Sequence, residues 1–144
     1  MTRKSKPFIL DADLSPALKG CLPRGARTTV EHGLRANAPD NPEVIDLCQR
    51  EHAILVTADK GYVRHFKDYQ RAHNDCCWGL LLLPDGELKQ IDLLQRLRAG
   101  KLRLKHPKDE VFRFEDVRND NLLVNLSANP PRVAELCDCV WQDD

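Results

Sequence analysis

Short apolar runs alternate with segments of helical spacing along the first hundred residues, and that alternation leaves few folds open. FIL (8–10), AILVT (53–57) and WGLLLLP (78–84) are apolar almost throughout rather than at every second residue, the pattern of strands buried on both faces. RTTVEH (27–32) carries β-branched residues in series and reads as a further strand. Between these runs, Ser15-Pro16 opens a short helix, Ser as N-cap and Pro at the first position, which Pro23 and Gly25 stop. A second helix starts at Asn41-Pro42 or Asp40 and runs through His52, with Val44, Ile45, Leu47 and Cys48 on one face. A third covers 62–74. A fourth covers 87–99, after a tight turn at Pro84-Asp85-Gly86, with Leu88, Ile91, Leu94 and Leu97 in helical register. The order β-α-β-α-β-α-β-α predicts an α/β fold of three layers, a central, mostly parallel sheet flanked by helices.

The remainder differs in kind. VFRFEDV (111–117) and NLLVNLS (121–127) read as a β-hairpin, and RVAELCDCVW as a last strand or short helix. The expected organisation is one α/β domain over 1–100 and a β-rich extension, 101–144, packed on it. A chain of 144 residues suits one core better than two. No apolar run approaches the roughly 18 residues of a membrane span, so no membrane partner is expected. The four-residue apolar stretch after the basic start is too short for a secretory signal, so a cytoplasmic location is expected. Without an export signal, six cysteines read as reduced thiols. A zinc site from Cys76, Cys77, Cys137 and Cys139 would lack the usual CxxC spacing.

Three acids sit where such a fold gathers strand ends. Asp11 closes FILD, Asp59 follows AILVT, and Glu43 heads the helix between them. Parallel strands joined through a helix are adjacent, and their C-terminal ends form the edge where open α/β sheets bind ligands. Carboxylates gathered there repel one another unless a cation lies between them, and hard oxygen ligands suit Mg²⁺ or Mn²⁺.

FILDADLSPAL, DNPEVIDLC and ILVTADKGY together resemble the short, toxin-associated bacterial branch of PIN-like nuclease domains, over residues 8 to about 84. That branch shows an acidic strand end followed by Leu-Ser-Pro-x-Leu, an Asp-x-x-Glu helix start and a Thr-x-Asp-x-Asp-Phe strand end. The resemblance implies a Mg²⁺- or Mn²⁺-dependent endoribonuclease with Asp11, Glu43 and Asp59 holding metal and Thr57 orienting an acid or a metal-bound water. RNA is the implied substrate, and an antitoxin protein the implied partner. Where the motif carries a second aspartate this chain has Gly61, and Ala12 replaces a commonly acidic residue. Asp13 supplies a fourth metal ligand if its side chain turns to the same edge. A catalytically impaired PIN-like module that binds RNA or a protein is the alternative expectation.

Each acid also has a capping reading. Asp40 and Glu43 fit an Asp-x-x-Glu capping pattern, Asp59 suits the start of the helix near Lys60, and Asp13 suits the first helix. Lys60, Arg64 and Lys67 follow Asp59 at near-helical spacing and, with Arg35 across the cleft, suit an RNA phosphate path; solvated helix faces have the same pattern. Tyr62, Phe66 and Tyr69 suit base stacking or, at i, i+4 and i+7, the core side of a helix. A homodimer through the C-terminal hairpin is a further expectation.

Overall fold

A computed structural model describes residues 6–35, 41–103, 111–112, 114–119, 121–128 and 131–139. The buried apolar runs become β1 (Phe8–Leu10), β3 (Ile54–Thr57) and β4 (Leu80–Leu82). With β2 (Arg27–Thr28), β7 (Leu122–Asn125) and β8 (Arg132–Glu135) they form one sheet in the order β2-β1-β3-β4-β7-β8. Every pairing is parallel except β7 with β8.

Side chains two apart share a face of a strand, and the core divides accordingly. Phe8, Leu10, Ile54, Val56 and Leu81 point to one side. There they meet Leu18 of a 3-10 helix (Pro16–Cys21), Leu94 and Leu97 of α3 (Glu87–Ala99), and Phe114 and Val117 of α4 (Phe114–Asn119). Ile9, Leu55 and Leu80 point the other way. They pack against Val44, Ile45 and Leu47 of α1 (Asn41–Glu51), Tyr62 and Phe66 of α2 (Tyr62–His73), and Leu136 of α5 (Leu136–Cys139). Each fully buried Leu, Ile or Phe stabilises this arrangement by about 1.5–3 kcal/mol. The three-layer α/β architecture follows directly from the apolar pattern.

Local signals behave as their chemistry requires. Ser15 Oγ accepts the Ala17 N–H at 3.3 Å and Pro16 occupies the first turn. The helix α3 ends at Gly100, whose φ of 69° is the left-handed cap conformation glycine adopts without penalty. Arg98 then donates to the carbonyls of Gly20 and Leu22, tying α3 to the 3-10 helix. At the N-terminal edge of the sheet, Lys6 donates to Trp78 O and Asn121 Oδ1, and His52 stacks on Trp78. Trp78 is thus a packing residue.

Three expectations need correction. The strand over 27–32 is only Arg27–Thr28; the chain turns at once, with Thr28 Oγ1 accepting the Glu31 N–H and Glu31 Oε1 accepting the Thr28 N–H. The hairpin over 111–127 does not form. Val111–Phe112 is a short strand, β6, paired antiparallel with β5 (Leu102–Arg103), and residues 114–119 are helical, with Phe114 and Val117 one turn apart in the core. NLLVN pairs instead with β4, burying Leu122 and Val124 and covering an apolar strand edge that a separate hairpin would leave open. The C-terminal segment supplies two strands of the main sheet, β7 and β8, which pair antiparallel with each other.

The third correction concerns the thiols. Cys76 and Cys137 form a disulfide joining the α2–β4 loop to α5. Cys48 and Cys77 are buried free thiols, and burial pushes both up, Cys77 to about 12; such thiols are chemically quiet. A zinc site using all four of Cys76, Cys77, Cys137 and Cys139 is incompatible with that disulfide. Asp40, the basic run over 104–108, His106 and Trp141 lie outside the described residues.

Candidate functional site

The strand order places a crossover reversal between β1 and β3: β2 lies to one side of β1, while β3, β4 and β7 extend to the other. In open parallel sheets the crevice outside the C-terminal strand ends, at such a reversal, is where ligands bind. Asp11 is the residue immediately after β1 and Thr57 is the last of β3.

The Asp11 N–H continues the β1–β3 ladder to Val56 O at 2.9 Å, and the chain then turns, Leu14 N–H to Asp11 O. That turn leaves the Asp11 side chain 5% exposed. Its Oδ2 accepts the Thr57 hydroxyl at 2.7 Å and its Oδ1 accepts the Ala12 N–H at 2.8 Å. Burial pushes the carboxyl above its ordinary value against the opposing Thr57 bond, and the charges of Asp13 and Asp59 push it further. Thr57 Oγ1 also accepts the Asp59 N–H at 3.1 Å, so one hydroxyl links the strand-end acid to the loop after β3.

Asp59 is exposed, and its Oδ1 accepts the Gly61 N–H at 2.9 Å at the entry to α2. The helix-start reading of Asp59 thus accounts for one of its oxygens. Gly61 bears on the missing acid: a Cβ there would lie 3.0 Å from Asp59 Oδ1. A side chain at 61 would ask the Asp59 carboxylate to give by a few tenths of an ångström.

Asp13 is exposed, because the chain turns after Leu10 rather than continuing as a strand. It does not cap the first helix, a role Ser15 fills. Asp13 and Asp59 instead line an open cavity of about 400 Å³ with Ser15, Asp85, Glu87 and Gln90. The cavity therefore gathers four carboxylates, and none of its described lining residues is basic. Gln90 Nε2 donates to Pro84 O at 2.8 Å and holds the β4–α3 turn that carries Asp85 and Glu87. Sequence reasoning missed these two acids, although the rule that found Asp59, an acid just past a buried strand, applies equally to Asp85 after β4.

Glu43 is exposed in the first turn of α1, whose apolar face packs on the Ile9–Leu55 side of the sheet. Among the described residues, no three His, Cys, Asp or Glu side chains converge closely enough to hold a metal ion together. The acids are thus distributed along one edge rather than gathered in a three-carboxylate cage. Lys60, Arg64 and Arg35 are exposed, with Arg64 paired to Asp68 at 3.3 Å, whereas Lys67 is buried and so is displaced from the expected exposed path. Tyr62 and Phe66 are core residues, unavailable for base stacking. Burial, then the charges of Asp11 and Asp59, push the Tyr62 phenol up.

A third residue escaped the sequence reading. Thr29, just past β2, is fully buried, and its Oγ1 has no hydrogen-bond partner among the described residues. Leaving a buried hydroxyl unpaired costs about 1–3 kcal/mol. The sequence signal was weak: one threonine of an adjacent pair, in a segment read as ordinary strand.

Compared with protein-family models, curated proteins and solved structures, the chain matches none.

Proposed function

We propose that this protein is a Mg²⁺- or Mn²⁺-dependent endoribonuclease of PIN-like type. The observation that carries the reading is the buried Asp11 carboxylate, held by Thr57 at the β1–β3 reversal within the field of Asp13 and Asp59. A carboxylate buried against two further acids is a group whose repulsion a cation relieves.

A cation bound at this edge would need few protein ligands. Mg²⁺ keeps several waters and needs only one or two carboxylates, whereas Ca²⁺ takes six to eight oxygen ligands. Asp11 and Asp59 are the residues that would hold the ion, with the charge of Asp13 acting on the same carboxyl and Glu43 in the first turn of α1. The bound ion would supply an activated water and charge neutralisation at a phosphodiester. The chain's own residues do the rest. Thr57 fixes the Asp11 carboxylate and the Asp59 backbone through one hydroxyl, and the exposed Lys60, Arg64 and Arg35 offer positive charge to a phosphate backbone. The toxin half of a toxin–antitoxin pair is the setting the resemblance implies, with a bound antitoxin protein as partner.

A second reading, an RNA- or protein-binding module without cleavage, is favoured by one observation: the motif acid is replaced by Gly61, beside Asp59 Oδ1. Cleavage of a structured RNA with Mn²⁺, by wild type and Asp11→Asn, separates the two. Cleavage by wild type that Asp11→Asn reduces at least a hundredfold supports the enzyme. Binding of RNA with no cleavage by either protein supports the module.

A further inference from the structure

Leu10 pairs with Thr28 on one side and Val56 on the other. One residue further, Asp11 is therefore flanked by Thr29 and Thr57, and both ladders continue that far. Thr29 N–H donates to Leu10 O at 3.1 Å, and Asp11 N–H donates to Val56 O at 2.9 Å. Side chains at matched positions of neighbouring strands project to the same face. The Thr57–Asp11 hydrogen bond of 2.7 Å realises this on one side. Thr29 occupies the equivalent position on the other.

The two threonines differ in one respect. The Thr57 hydroxyl donates to Asp11 and accepts from the Asp59 N–H, so its capacity is used. The Thr29 hydroxyl is as deeply buried and has no partner among the described residues. The turn after β2 does not need it, because Thr28 Oγ1 and Glu31 close that turn. A valine would fill the same volume and leave no orphaned hydroxyl. Stability alone therefore does not account for threonine here.

We propose that Thr29 is a positioning residue of the Asp11 site, its hydroxyl binding a water of a hydrated divalent cation that Asp11 holds. The inference rests on the cation-dependent reading above and adds a residue to it. A water-rich cation needs hydrogen-bond partners for its waters as well as direct ligands. In a row where only one carboxylate is buried, an unpaired hydroxyl at the adjacent register position meets that need. It also explains how a cation site operates at this edge without three converging carboxylates.

The test is Mn²⁺ titration, followed by thermal unfolding and by electron paramagnetic resonance of free Mn²⁺, on wild type, Thr29→Val, Thr29→Ser and Asp11→Asn. Without metal, Thr29→Val should melt at or above the wild-type temperature, because it removes only an unpaired hydroxyl. Its Mn²⁺ affinity should fall 10–100-fold, the usual effect of losing an outer partner of a metal site. Thr29→Ser, which keeps the hydroxyl, should bind Mn²⁺ within about threefold of wild type, far inside that loss. Wild-type affinity in Thr29→Val together with lost affinity in Asp11→Asn would overturn the role of Thr29 and leave the cation reading standing. A metal-free Thr29→Val that melts well below wild type but binds Mn²⁺ normally would make the hydroxyl purely structural. No Mn²⁺ binding by wild type would overturn this inference and the cation-dependent reading together.

Discussion

Replacing Thr57 by valine should destabilise the protein most at neutral pH and least in acid. The Thr57 hydroxyl donates to Asp11 Oδ2 at 2.7 Å inside the fold, so its loss strips a buried carboxylate of one hydrogen bond. Hydrogen bonds to charged groups contribute about 1.5–3 kcal/mol, and the Asp59 N–H that loses its acceptor adds about 0.5–1.5 kcal/mol. The sum, roughly 2–4.5 kcal/mol, corresponds to a fall in Tm of about 6–16 °C for a chain of this size. The pH dependence follows from Asp11, whose folded carboxyl already lies above the ordinary 3.8 because of burial, despite the Thr57 bond. A raised carboxyl contributes stability below its unfolded value, and that contribution is lost as pH rises through its folded value. Removing the bond that holds it down raises the folded value further, so the gap between variant and wild type should widen from about pH 4 towards neutrality. Thermal unfolding at pH 3.5 and pH 7.5, with Thr57→Ser as the control that keeps the hydroxyl, measures this directly. An equal Tm difference at the two pH values would refute the reasoning, because the bond would then be insensitive to the charge of Asp11.

Two other perturbations follow from the same structure. Cys76 and Cys137 are separated by 61 positions, a loop whose cross-link removes about 4 kcal/mol of unfolded-chain entropy. Reduction or Cys137→Ser should therefore lower Tm by more than 10 °C, while native-state thiol titration leaves the buried Cys48 and Cys77 unmodified; an unchanged Tm in reductant would show that the bridge constrains nothing. Gly61→Asp should shift the Asp59 carboxylate, whose Oδ1 is 3.0 Å from the new Cβ, and lower metal-free stability by about 0.5–1 kcal/mol through a weakened Gly61 N–H bond and screened like-charge repulsion. Mn²⁺ should recover that loss, and a variant as stable as wild type without metal would contradict this account.

The part of this fold written in local pattern was readable and the part written in pairing was not. FIL, AILVT and GLLLL announce buried strands because both of their faces must meet helices, and the helices between them carry their own caps and stripes. VFRF, by contrast, alternates as a strand would, while Phe114 and Val117 also keep helical spacing. Only the open edge of β4 decides where NLLVN goes, and that edge is a property of the assembled sheet. The Cys76–Cys137 pairing is of the same kind, since it depends on α5 returning beside the α2–β4 loop. At the site, Asp11, Thr57 and Asp59 were legible as strand-end residues. Thr29 was not, because a threonine reveals its unpaired hydroxyl only once its neighbours are in place.

Acids past the ends of buried strands need no functional explanation one at a time, since turns and helix starts favour them. Asp59 illustrates this, with one oxygen on the Gly61 N–H. What such preferences do not explain is their sum at this edge. A fold selected for stability alone would gain by spreading charge, and a valine at 29 would fill the same volume without an unpaired hydroxyl. Instead Asp11 is buried in a repulsive field, a neighbouring hydroxyl is unpaired, and Asp13, Asp59, Asp85 and Glu87 surround one open cavity. Each departs from the stability optimum in the same direction, towards an edge that a positive ligand would relieve. Local departures of this kind are where function is to be sought in a protein. Here they coincide with the β1–β3 reversal, the position at which the sheet's topology independently opens a crevice.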